Sequence, residues 1–301
     1  MARVLLTGGT GLIGSGLVPA LQAAGYEPVV LSRRAVNLNG ATVVRWDGRK
    51  IPASLTSDGV VAVINLAGAN VAARRWSSNY KEELWQSRVE VTKEVAAWLK
   101  REAPMARLIS ASAIGYYGSG LSLTVYTEES PPGEDFLARL ALAWEAAAQT
   151  APKPPVLFRI GVVLAPQAKA WQGLRTSFRV GFGAYPAPGR QGFSWVHQED
   201  VVRAFLWALE KADASGAYNL TAPQPLSVRA FVEALGAHTG HKLIFRIPET
   251  LLRWGLGEQA ILLTRGIYAY PKRLLAEGFE FRFPKADQAI ADLLERERKS
   301  S

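Results

Sequence analysis

The feature that most limits what this chain can become lies at its start. Val4-Leu5-Leu6 runs straight into Thr7-Gly8-Gly9-Thr10-Gly11-Leu12-Ile13-Gly14, and Ile13–Ala24 then carries the apolar spacing of a helix that stops at Gly25. A glycine-rich turn from a strand into a helix is the first unit of a parallel α/β sheet. In the spacing Gly8-x-x-Gly11-x-x-Gly14 each glycine has its own use. Gly8 permits the tight turn, Gly11 lets the backbone approach a pyrophosphate, and Gly14 lets the helix pack on the strand. The first amides of the helix, around Thr10, Leu12 and Ile13, then face phosphates at the positive end of the macrodipole. A turn of the same shape that binds nothing is the plain alternative. Gly14-Ser15-Gly16 stands where a Walker loop needs Gly-Lys-Ser/Thr, which argues against an ATP or GTP phosphotransferase.

The rest of the chain continues the pattern. Strands are predicted at Pro28–Leu31, Val43–Trp46, Val60–Leu66, Arg107–Ser110 and Val156–Leu164, with helices at Ser78–Arg101 and Phe136–Ala148. Gly181–Gly192 reads as a loop, Trp195–Val196 and Val201–Glu210 as a strand and helix, and Tyr218–Leu220 as a strand returning to the main sheet. Leu226–Gly240 is helical. The texture changes after it, giving a fold of class α/β: a doubly wound parallel Rossmann sheet over residues 1–240, with residues 165–194 reaching the substrate pocket, and a small C-terminal lobe over 241–301.

Composition narrows the chemistry. With 49% hydrophobic and 20% charged residues the chain is globular, and zero cysteines exclude disulfides, Fe–S clusters, thiolate zinc sites and a cysteine nucleophile. The net charge of +9 suits an anionic ligand, but the basic residues are scattered and no nucleic-acid signature accompanies them, so no nucleic acid is expected. No metal is expected either, since His197 stands alone and His238 with His241 lacks a third ligand. No membrane span and no leader are apparent, which points to the cytoplasm.

The end of the second strand selects the dinucleotide. An NAD site usually places Asp or Glu about 20 residues past the turn to hold the ribose, whereas a 2′-phosphate favours Arg. Here the residues are Ser32-Arg33-Arg34, so NADP(H) is the expected cofactor, with both guanidiniums and the Ser32 hydroxyl as phosphate donors.

Taken with Asn65-Leu66-Ala67-Gly68, Arg75-Trp76, Ser87-Arg88, Ser110–Gly118, Trp144-Glu145, Arg159–Leu164, Gly189–His197 and Pro271-Lys272-Arg273, these motifs give a resemblance that covers nearly the whole chain. It resembles the extended and atypical short-chain dehydrogenase/reductases, in the epimerase-like group that includes the bacterial YfcH proteins and human family 39U. The resemblance implies an NADP-binding Rossmann domain and a C-terminal domain of unknown role, with no established substrate. It also implies that Leu66, Ala67 and Gly68 lie beside the adenosine and pyrophosphate. Glu83 and Arg88 on the long helix, Ser110, and Arg159 and Val163 on a later strand would then reach the cofactor. Asp47 would touch the adenine edge, or serve only as a turn residue. Some plastid and cyanobacterial members of the group carry a cell-division-inhibitor label.

A working reductase of this fold adds Tyr-x-x-x-Lys, in which Lys and the cofactor ribose lower the Tyr pKa toward the working pH. Among nine tyrosines only Tyr268 has Lys four residues on, at Lys272, and Pro271 interrupts the segment. The family positions fall near Leu137 and Ala141, so the pair is absent there. Ser112 and Tyr117 are what remain as catalytic candidates, and Arg190, Trp195 and His197 as walls of a substrate pocket. Two readings follow. One is an epimerase or oxidoreductase acting on a small polar molecule; the other is a cofactor-sensing regulatory protein with a protein partner.

Overall fold

The computed structural model describes residues 1–179, 181–241 and 243–300. Seven strands form one parallel sheet: β1 (Arg3–Thr7), β2 (Glu27–Ser32), β3 (Thr42–Arg45), β4 (Val60–Asn65), β5 (Arg107–Ala113), β6 (Val156–Ile160) and β7 (Gly216–Leu220). Their spatial order is β7-β6-β5-β4-β1-β2-β3. The chain leaves β1 toward β2 and β3 and then returns to add β4 on the other side. That reversal opens a crevice between the carboxyl ends of β1 and β4, where a doubly wound sheet binds its ligand.

The strands read as near-continuous apolar runs because both faces are covered. Alternate residues serve alternate faces: Val63 of β4 packs with Leu5, Val95 and Trp98, while Ile64 packs with Leu6, Leu17 and Phe205. Helix α1 (Leu12–Ala23) connects β1 to β2. Helix α2 (Ser78–Trp85) continues through a π turn at Gln86–Glu90 into α3 (Val91–Glu102), so the long predicted helix forms but carries an extra residue in its middle. Helix α4 (Phe136–Ala148) starts at an Asp135 cap whose carboxylate accepts from the Ala138 amide.

Two expectations change with tertiary context. Val156–Leu164 is not one strand: at Gly161 the chain leaves the main sheet, and Val162–Leu164 pairs instead with Trp195–His197. A Cβ at Gly161 would lie 2.3 Å from the Ser194 carbonyl oxygen, so only glycine admits that crossing. Within the Gly181–Gly192 loop, Gly183–Pro186 forms a parallel ladder with Ile244–Ile247.

Helices α5 (Lys169–Arg179), α6 (Gln198–Glu210), α7 (Val228–Thr239) and α8 (Glu249–Leu256) follow in chain order. α6 lies beside α1 under the main sheet. The C-terminal helix Ala286–Ser300 seats Ala289, Ile290 and Leu293 in a further core with Trp171 and Phe178 of α5 and Phe231 and Leu235 of α7. Tyr268–Ala269 pairs with Val125–Tyr126. Ile244–Ile247, Tyr268–Ala269 and the C-terminal helix therefore share their ladders and core with segments before residue 240.

Candidate functional site

At the crevice, the Thr7 hydroxyl donates to Asn65 Oδ1 at 2.6 Å and accepts the amides of Leu66 and Ala67 at 3.2 Å each. Asn65 Nδ2 donates in turn to Thr92 at 2.7 Å and Ser110 at 3.1 Å. This buried relay locks the ends of β1, β4 and β5 to α3. It also places Ser110 beneath the crevice floor, with its hydroxyl engaged by Asn65 and the Ala111 carbonyl.

Gly8 has φ +68°, and a Cβ there would sit 2.6 Å from the Leu66 carbonyl oxygen, so the turn can close on β4 only as glycine. Gly14 brings the helix down on the turn rather than the strand, since a Cβ there would meet the Gly9 carbonyl at 2.4 Å. Gly11, the N-cap of α1, offers no side-chain acceptor to the helix amides. Leu12 and Ile13 open that helix half-buried, each packed against a core. The amides of this first turn have no partner within their own helix and stand ready for an anion.

From this turn a cleft of about 1390 Å³ extends along the strand ends. Of the cofactor candidates it brings together Gly8, Thr10, Gly11, Ser32, Arg33, Arg34, Leu66, Ala67, Gly68 and Glu83. Ser32 is buried and tied to the Arg34 backbone in both directions, donating to its carbonyl at 2.9 Å and accepting from its amide at 3.1 Å. Arg33 and Arg34 are exposed. Glu83 accepts from Arg74 at 3.3 Å. Arg88 does not line the cleft. Its guanidinium lies inside, donating to the carbonyls of Ala69 at 2.9 Å and Leu84 at 3.3 Å and facing the Trp144 ring, and burial lowers its pKa to about 10. It supports the loop after β4 from below.

The remaining candidates lie elsewhere. Ser112 Oγ donates to Glu145 Oε1 at 2.7 Å, and Glu145 holds Arg159 in a two-point ion pair at 2.8 and 2.9 Å. Arg159 Nη1 donates to the Tyr117 hydroxyl at 3.0 Å, which donates to Asn219 Oδ1 at 2.7 Å. The guanidinium carbon sits 3.4 Å from the centre of the Tyr116 ring. Burial pushes the Tyr117 phenol up to about 12, against the opposing pull of Arg159. Burial also works against the charge on Arg159, but Glu145 outweighs it and holds the guanidinium above its ordinary range. Both candidate hydroxyls are thus already engaged within the protein.

Val163 sits in the short ladder opposite Val196. Trp195 is buried beside Phe231, and His197 caps α6 by accepting from the Glu199 amide at 3.2 Å while its other nitrogen faces Asp292. These two side chains point into the molecule. Arg190 is exposed, with its carbonyl accepting from Tyr268. Glu145 and Asn219 join the cluster with no role foreseen from sequence. A signal for the first was present: one Glu on the apolar face of α4 and one Arg inside the strand Val-Leu-Phe-Arg-Ile are opposite charges in elements that must be buried.

Fold and site define a dinucleotide-binding Rossmann protein of the short-chain dehydrogenase/reductase type. The chain belongs to the NAD dependent epimerase/dehydratase family, whose model matches residues 4–221, and residues 247–293 match a domain of unknown function, DUF1731. It is 37% identical over 298 residues to an epimerase family protein of Mycobacterium tuberculosis, with 96% of each chain covered. Its fold superposes on the crystal structure of human epimerase family protein SDR39U1 (isoform 2) with NADPH at a TM-score of 0.86, with 31% identity and 97% and 99% of the two chains covered. A nucleoside-diphosphate sugar epimerase from Corynebacterium glutamicum gives 0.77 at 29% identity, covering 97% of this chain and 58% of that one.

Proposed function

We propose that this chain binds NADP(H) and is an epimerase- or oxidoreductase-like protein acting on a small polar substrate in the cytoplasm. One observation carries the reading: the cleft starts at a helix N-terminus without a side-chain cap and runs to Ser32-Arg33-Arg34, where two exposed guanidiniums stand in place of the ribose-binding carboxylate. The human relative crystallised with NADPH supports it. No helix among the described residues is long and apolar enough to cross a membrane.

In this reading Gly8, Thr10 and Gly11 take the pyrophosphate, Leu66, Ala67 and Gly68 give the cofactor a low-relief floor, and Ser32, Arg33 and Arg34 take the 2′-phosphate. Glu83 borders the same cleft, and Arg88 and Ser110 hold its walls. When bound, the nicotinamide supplies hydride exchange. Val163 and Arg159 belong to the strands at the substrate end, with Arg190 offered to an anionic group. Ser112 and Tyr117 polarise a substrate only if binding draws one hydroxyl away from its present partner.

A second reading, a cofactor-sensing regulatory protein with a protein partner, is favoured by the commitment of both hydroxyls and by the high Tyr117 pKa, which makes a poor acid near neutrality. Titration of the purified protein with NADPH and NADH tests the common core. NADPH should bind at least tenfold more tightly, and Arg33→Ala should remove the preference; binding of neither cofactor would sink both readings. Turnover of NADPH with a carbonyl substrate, lost in Tyr117→Phe, would select the enzyme.

A further inference from the structure

The turn that follows β3 lies on the same rim as Arg33 and Arg34. Trp46, Asp47, Gly48 and Arg49 all line the cleft, and the Trp46 amide donates to the Ser32 carbonyl at 2.9 Å, tying this turn to the end of β2. The two loops lie close together: a Cβ placed on Gly48 would lie 3.9 Å from Arg33 Cδ. Asp47 brings a carboxylate to this rim, but it is turned to the backbone, where Oδ1 accepts from the Arg49 amide at 2.8 Å and fixes the turn. Arg49 is exposed, and among the described residues its guanidinium has no ion pair. On the opposite wall the carboxylates have local partners, Glu82 with Gln86, Glu83 with Arg74 and Glu90 with Lys93.

From this arrangement we infer that Arg49 is a third determinant of NADP(H) specificity, closing over the 2′-phosphate from the β3 side while Arg33 and Arg34 hold it from the β2 side. The inference rests on the NADP(H) reading above and adds a residue that the spacing after the glycine turn cannot reveal. A phosphomonoester dianion offers three acceptor oxygens, and guanidiniums from two strands can engage different ones without competing. The Asp47 turn fixes the backbone of Arg49 at this rim, so its side chain starts from the phosphate end of the cleft.

Calorimetric titration of the full chain with NADPH, NADH, 2′,5′-ADP and 5′-AMP tests this in wild type, Arg33→Ala, Arg49→Ala and Arg45→Ala, the last being an exposed arginine of β3 outside the cleft lining. Arg49→Ala should weaken NADPH and 2′,5′-ADP about 10- to 100-fold and leave NADH and 5′-AMP within twofold, whereas Arg45→Ala changes none of them. If Arg33→Ala erases the preference and Arg49→Ala keeps it, the Arg49 inference falls and the NADP(H) reading stands. If Arg49→Ala and Arg45→Ala weaken all phosphates alike, only the general positive field is at work and the inference falls. A wild type that binds none of the four, or does not distinguish NADPH from NADH, overturns both.

Discussion

Glu145 and Arg159 are about as buried as the leucines around them, at 5% and 4% exposure, so neither charge can be left alone. Their stability comes from mutual satisfaction: two ion-pair contacts, the Ser112 hydroxyl on the carboxylate, and the Tyr117 hydroxyl and Tyr116 face on the guanidinium. Glu145→Gln leaves a buried guanidinium without its counter-charge and should lower stability by about 3–5 kcal/mol. Replacing both members by methionine should restore part of that loss. Urea denaturation checks both; a loss below about 1 kcal/mol for the single variant would mean that water reaches the pair. The two charges were visible in the sequence as misfits in apolar elements, but their pairing was not, because 14 residues and a change of element separate them.

At the scale of elements, the wall of the cleft is held from outside. The segment between β4 and α2, together with the first turn of α2, meets the C-terminal region at three points: Arg75 donates to the carbonyls of Trp254 at 2.7 Å and Gly255, Lys81 pairs with Glu258 at 2.8 Å, and Gln259 donates to the Val71 carbonyl at 2.8 Å. Arg75 thereby satisfies carbonyls at the end of α8, which would otherwise be left to solvent. Arg75→Ala should change global stability by less than about 1 kcal/mol, since the contacts are exposed, yet speed amide exchange in Val71–Ser77 and Trp254–Ala260. Exchange mass spectrometry reads this directly, and unchanged rates in both segments would show that the contact carries no load. The helical periodicities predicted α1 and α4 closely, and the run from α2 to α3 as a single helix Ser78–Arg101 without its π turn, because each periodicity is set within a few turns. Gly183–Pro186 was expected as loop, because its ladder partner, Ile244–Ile247, lies far along the chain beyond α7.

Over the whole molecule, the C-terminal helix region is fastened around His197 and α6. Asp200 accepts the amides of Arg282 and Phe283 at 2.6 and 3.0 Å, Arg282 and Arg296 pair with Glu199, and His197 packs on Phe283 and faces Asp292. Burial lowers the His197 pKa to about 4, although Asp292 and Glu199 pull the other way. Protonating its Nδ1 would also remove the acceptor that caps α6. The sign is that of a neutral buried imidazole: between the unfolded value near 6.5 and the folded value near 4 the unfolded chain binds more protons. The His197 contribution is therefore complete above about pH 6.5 and is lost as the pH falls toward 4. His197→Asn, which keeps a capping acceptor, should flatten the stability profile in that window relative to wild type, as followed by thermal melts from about pH 4 to about pH 7.5. Parallel profiles would place the titrating group elsewhere. What the sequence by itself determined is the set of features whose causes are local: the β1 turn and α1, the alternation of strands and helices, and the basic end of β2, each decided by residues within about a dozen positions of one another. Only the tertiary structure decided that Arg88 turns inward beneath its loop, that Trp195 and His197 face the core, that Ser112 and Tyr117 are joined through Glu145 and Arg159, and that Arg49 reaches the rim of Arg33. For Arg88, Ser112 and Tyr117 the physical reason is that a buried polar group must be satisfied by whatever surface the fold brings to it; for Trp195, His197 and Arg49 it is that the chain order does not say which surfaces the fold brings together.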